Sequence, residues 1–175
     1  MTLWFSADWH YLSKNIISHC NRPFNSMEEM DEILVSNFNS KVAKGDMVYL
    51  LGDMCWGHNN YENFFKRLNG QKIIILGNHD NEQCYRKLLI NHTIAGLYHV
   101  KNITIDNNYV WLSHYCHRVW NRSFHESFHL FGHSHSTLKT NNRSMDVGVD
   151  NCNFFPISWE EIYEQLKTKS NRENI

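Results

Sequence analysis

Several things are scarce or missing in this 175-residue chain, and each absence excludes a class of protein. No apolar run is long; Met47 to Leu51 and Ile73 to Leu76 are the longest, and a bilayer-spanning helix needs about 20 residues. No basic segment followed by an apolar stretch opens the chain, and Asp8 comes early, so no signal peptide is expected. With two prolines there is no Pro/Ser linker, and there is no internal repeat or break in composition. The five cysteines are odd in number, scattered and never in Cys-x-x-Cys spacing. They read as free thiols of a cytoplasmic protein, not as a disulfide frame or a zinc ribbon. Neither charge sign dominates: 17 Lys+Arg against 18 Asp+Glu leave a net charge of -1. That argues against a general basic surface for nucleic acid or anionic membrane.

What is present is a 42% hydrophobic chain, enough for a packed core, and 12 histidines. Short apolar runs alternate with helical patterns, as in an α/β or layered α+β domain. Strands are predicted at 3–7, 47–51, 72–76, 130–131 and 145–149, and a hairpin pairs 101–105 with 109–113 around Asp106-Asn107-Asn108. Ser26 and Glu29 form a capping box ahead of a helix to about Val42, and Ser158 and Glu161 form a second ahead of one to about Leu166. Helices are also expected at 61–68 and 81–90. One domain over residues 1–166 is expected, with 167–175 as a polar, frayed tail.

The polar residues are not spread evenly among these elements. The strand at 3–7 runs into Asp8-Trp9-His10, and that at 47–51 into Gly52-Asp53. The strand at 72–76 runs into Gly77-Asn78-His79-Asp80, that at 109–113 into His114, and that at 130–131 into Gly132-His133-Ser134-His135. Each motif alone is commonplace: a turn, a helix cap, a His-rich loop. Together, each at the carboxyl end of a strand where α/β sheets place their ligand crevices, they point to a metal centre. Carboxylate, amide and imidazole donors without thiolate suit Mn, Fe or Zn and do not single one out. Seven donors are too many for one cation and fit a pair sharing a carboxylate, a recurrent arrangement for attack on phosphate esters.

With these motifs on the page, the sequence resembles the calcineurin-like metallophosphoesterase superfamily from about Leu3 to Ile162. It is most similar to small single-domain bacterial and phage members, which carry segments like Lys14-Asn15-Ile16-Ile17 and Asn21-Arg22-Pro23-Phe24. The resemblance implies a double β-sheet sandwich flanked by helices and two divalent cations, Mn favoured over Fe, Ni or Zn. It implies that Asp8, His10 and His135 hold one cation, that Asn78, His114 and His133 hold the other, and that Asp53 bridges them. It also makes His79 the group that protonates the leaving oxygen, oriented by Asp80, with metal-bound hydroxide as the attacking group.

The sequence departs from close relatives at Ser13 and Cys116, often His and Pro there. Gly52-Asp53-Met54-Cys55-Trp56 lacks the Asp-Arg-Gly of protein Ser/Thr phosphatases. A phosphodiester or small nucleotide-like substrate is therefore expected rather than a phosphoprotein. A nuclease of the same chemistry, served by a patch of Arg118, Trp120 and Arg122, and a non-catalytic scaffold are the alternatives. Beyond the motifs, Arg22 reads either as a phosphate grip or as a partner of Glu28 or Glu29, and His117 and Arg118 as lining of the same cleft. Trp9, Tyr11, Trp56 and Trp120 are aromatic candidates for packing or for stacking on a nucleobase. His19, His58, His92, His99, His125 and His129 have no motif support.

Overall fold

The computed structural model describes residues 1–57 and 61–172; His58 therefore lies outside the described residues. The chain builds two sheets. The first has the order β4-β3-β2-β1-β9, formed by β1 (Leu3–Ser6), β2 (Met47–Leu50), β3 (Gln71–Ile75), β4 (Gly96–Tyr98) and β9 (Ile157–Ser158). β1 to β4 are parallel, and β9 closes the edge antiparallel to β1. The second sheet runs β5 (Val100–Ile105), β6 (Asn108–Ser113), β7 (Phe128–Phe131) and β8 (Ser144–Asp146). β5 and β6 form the expected hairpin, and β6, β7 and β8 are parallel. The hairpin loop is Asp106-Asn107 alone, both residues left-handed (φ 48° and 64°), which is how a two-residue turn matches strand twist.

The four parallel strands step across the first sheet in one direction, and crossovers keep one hand. Helices α1 (Asn15–His19), α2 (Met27–Lys41), α3 (Tyr61–Arg67) and α4 (Glu82–Ile90) therefore collect on one face. Ile16, Met30, Leu34, Phe38, Phe64, Phe65, Tyr85 and Leu88 from these helices pack there against Val48, Leu50 and Ile74. The alternate residues Phe5, Ala7, Tyr49, Leu51, Ile73 and Ile75 face the second sheet and meet Val110, Leu112, Phe128 and Leu130. α5 (Trp159–Leu166) contributes Trp159, Ile162 and Leu166 to this inter-sheet core. Burial on both faces explains why the strands read as continuous apolar runs.

Local signals account for most helix ends. Ser158 and Glu161 form a full capping box. At α2 only half of one forms: Ser26 accepts from Glu29 N–H, while the Glu29 carboxylate reaches back to Asn25. The frayed tail is corrected through Arg172. Asn171 is buried, donates to the Ser123 and Ser127 carbonyls and accepts from Arg143 N–H. Arg143 in turn donates to the carbonyls of Lys167 and Lys169. Polarity suggested fraying because the sequence does not reveal these acceptors.

Candidate metal centre

The carboxyl ends of β1, β2, β3, β6 and β7 deliver the motif residues to one edge of the sandwich, so the rim is shared by two sheets. Asp8, His10 and His135 form one group whose donor atoms lie within 4.8 Å of one another, and Asp53, His114 and His133 form another. Asp53 Oδ2 stands between them, 3.8 Å from His10 Nε2 and 3.4 Å from His114 Nε2. Asn78 Oδ1 lies 3.0 Å from His114 Nε2, which joins it to the second group. All seven expected ligands are thereby brought together.

The backbone is bent to achieve this. Asp8, His10, Asp53, His133 and His135 all have φ between 45° and 66°, a region in which Asp and His are enriched but which still carries strain. Hydrogen bonds hold the bends: Asp8 N–H donates to Gly52 O, His10 N–H to Asp53 O, and His133 N–H to Asp8 Oδ2. Two glycines allow the close approach. A Cβ on Gly77 would stand 2.2 Å from Asp53 Oδ1, and one on Gly132 would stand 2.5 Å from Asp8 Oδ2.

The electrostatics fit bound cations. His114 Nδ1 faces the Leu51 carbonyl at 2.8 Å, so it carries the proton and Nε2 presents a lone pair. That lone pair points at two further acceptors, Asn78 Oδ1 and Asp53 Oδ2. Three convergent acceptors need positive charge. Without a metal a proton supplies it: burial opposes the charged ring, but Asp53 and Asp8 raise His114 to about 9. Burial raises Asp8 to about 8 and lowers His10 to about 3. Among the described residues, Asp8 Oδ1 and His10 Nε2 are buried without a hydrogen-bond partner, which is costly unless another group satisfies them. The donor set and its unmet atoms are those of a metal site.

The family model of the calcineurin-like phosphoesterases matches residues 1–161. The chain belongs to this family. Its chemistry is accordingly metal-dependent hydrolysis of phosphate esters. An uncharacterized protein of Methanocaldococcus jannaschii is 29% identical over 94% of this chain and 91% of its own length. The gene 66 protein of Mycobacterium phage L5 is 25% identical over 98% of this chain and 97% of its own. A crystal structure of a protein of unknown function from Aquifex aeolicus has a TM-score of 0.76 at 22% identity, covering 94% of this chain and 99% of that one. An archaeal phosphodiesterase has a TM-score of 0.51 at 19% identity, covering 87% and 85%. Both structures share the fold.

Several expected roles are placed differently in this phosphoesterase. Asp80 does not orient the His79 ring. It is half-buried, and its oxygens accept the N–H groups of Asp53, Met54 and Gly77 and the Tyr85 hydroxyl. Arg22 is neither a phosphate grip nor a partner of Glu28 or Glu29. Its five N–H donors go to both Asp150 oxygens, the carbonyls of Asp8 and Trp9, and Met30 Sδ. His117 packs its ring on Trp111 and His129, strand residues that alternate with those facing the inter-sheet core. Arg118 is exposed and has no hydrogen bond or ion pair among the described residues. The expected patch is broken, because Trp120 is buried with its indole N–H on Ser127 and Arg122 lies over Tyr109. Trp9 is buried in the core and Tyr11 stacks on Phe64; Trp56 alone of the four aromatic candidates remains exposed.

Two supporting residues were missed by sequence reasoning. Asp150 Oδ2 lies 2.7 Å from His135 Nδ1 and fixes which ring nitrogen is free for a metal. Burial opposes its charge, but His135 and Arg22 hold the Asp150 carboxyl below its usual range. Asp146 accepts from the Ser134 hydroxyl and from the N–H groups of Ser136 and Gly148, and so shapes the loop carrying His133 and His135. The signal for Asp150 was present, since it follows the apolar run 145–149 as the other ligands follow theirs.

Proposed function

We propose that this chain is a dinuclear phosphohydrolase of the cytoplasm acting on a phosphodiester or small nucleotide-like ester. The position of Asp53 Oδ2, within 4 Å of an imidazole nitrogen from each group, carries the two-cation reading. Asp8, His10 and His135 would hold one cation, Asn78, His114 and His133 the other, with Asp53 shared and Mn favoured over Fe, Ni or Zn. Such a pair supplies charge neutralisation at the phosphate and a water acidic enough to attack phosphorus. The chain's own part is to hold these donors on strained, hydrogen-bonded loops and to place His79 beside them. The His79 ring lies 5.5 Å from that of His10 and is exposed, so it can reach a bound ester. As the P–O bond breaks, His79 would give a proton to the departing oxygen.

The diester preference is supported by Met54-Cys55-Trp56 standing where a protein phosphatase carries Asp-Arg-Gly. One fold relative is itself an archaeal phosphodiesterase. A nuclease of this chemistry would need a basic, aromatic track, which the net charge of -1 and the burial of Trp120 disfavour. A non-catalytic scaffold would have no need to keep His79 and every ligand. Metal-stripped protein given Mn²⁺, Ni²⁺, Zn²⁺ or Mg²⁺ should hydrolyse a chromogenic phosphodiester faster than the matching monoester. A faster monoester reaction with every cation would reverse the preference, and turnover of single-stranded DNA alone would favour the nuclease.

A further inference from the structure

His79 is flanked by rings rather than by a carboxylate. Its ring centroid is 4.8 Å from that of Trp56, and among the described residues its ring makes no hydrogen bond. Trp56 is held from behind: its N–H donates to the Tyr11 carbonyl at 2.8 Å, and Cys55 forms an isolated β-bridge with Tyr11. The indole itself stays 46% exposed, whereas Trp9 and Trp120 are buried. A cavity of about 320 Å³ opens beside it, lined by Trp56, Gly57, Tyr61, Asn78, His79 and Asn81. That volume is at the small end of ligand sites.

A large flat ring kept in solvent by a fixed backbone, next to the group that would meet the departing oxygen, is suited to stacking. Resting on the phosphohydrolase reading above, we propose that Trp56 is the specificity-determining platform for the leaving-group side. The site would thus select esters whose leaving group carries a flat aromatic ring, such as a nucleobase. His79 and Trp56 line one cavity, so a leaving oxygen near the imidazole puts the attached group over the indole.

The test compares adenosine 5′-monophosphate with ribose 5-phosphate, which share the phosphate and differ in the base. Calorimetric binding to the Mn²⁺-loaded protein should be about tenfold tighter for the nucleotide, the range expected for stacking one base. Trp56→Ala should bring the nucleotide down to ribose 5-phosphate affinity and leave ribose 5-phosphate unchanged, while Trp56→Phe keeps part of the difference. Equal binding by the wild type, discrimination that survives Trp56→Ala, or discrimination lost instead in Tyr115→Ala, which removes the exposed ring 4.7 Å from that of His133, would overturn the proposal. So would failure to bind either compound. Hydrolysis without base discrimination removes the platform and spares the enzyme reading; discrimination without hydrolysis of any ester does the reverse.

Discussion

Asp80 Oδ2 accepts the backbone N–H of Asp53 at 2.9 Å, and the same oxygen accepts Gly77 N–H at 2.8 Å. One half-buried carboxylate thereby ties the loop after β2 to the loop after β3, and each of those loops carries expected ligands. The side chain next to His79 in sequence thus serves the Asp53 loop across from it.

Asp80→Ala leaves three amides and the Tyr85 hydroxyl without their acceptor. Buried donors deprived of a charged partner cost about 1–3 kcal/mol each before relaxation, so a loss of at least about 3 kcal/mol is expected. Denaturant unfolding and Mn²⁺ titration check this, and both stability and metal affinity should fall. A variant as stable and as tightly metallated as the wild type, but slow, would instead restore Asp80 as the residue orienting His79.

His79→Ala removes a ring that holds none of the described loops through its side chain. Metal content should persist while turnover drops by about 10²–10⁴, the usual worth of a positioned acid. Asp53→Ala should lose both, because its carboxylate faces both ligand groups. Elemental analysis beside steady-state rates separates the two cases.

Asp150 and Arg22 act on the metal centre from behind. Asp150→Asn keeps the shape but weakens the hold on His135 Nδ1, and metal affinity should fall by about 10–100-fold. KM for substrate at saturating metal should change little, which separates this role from phosphate binding. Arg22→Met should destabilise the fold, since the carbonyls of Asp8 and Trp9 lose their donors; thermal unfolding reads this.

The pH dependence of stability should carry a histidine signature. Burial lowers His129 from 6.5 to about 3. In the fold its Nε2 accepts His117 N–H and its Nδ1 faces the Trp111 carbonyl. The unfolded chain binds a proton below the ordinary histidine range, whereas the folded chain does so only near pH 3. Stability contributed by neutral His129 is therefore full above about pH 6.5 and falls as pH drops from there toward 3. The slope for this one proton is about 1.4 kcal/mol per pH unit. Urea unfolding of metal-free protein at pH 7 and pH 5 should show a smaller drop in His129→Gln than in the wild type.

The sequence by itself determined the order of strands and helices, because hydrophobic period and capping residues act over a few neighbours. It also marked the candidate donors, because each group of them stands just past an apolar run: Asp8 past β1, Asp53 past β2, His114 past β6. Only the tertiary structure decided what those donors lean on. Asp150 reaches His135 across 15 residues and Arg22 across 128, and the choice of Tyr85 and Asp53 as partners of Asp80 likewise depends on the packing of helix and loop. Arg22 read as a phosphate grip or as a surface cation because a guanidinium is normally solvated. Its burial is tolerable only because five acceptors converge on it, and convergence of groups distant along the chain is created by packing, not by any local pattern.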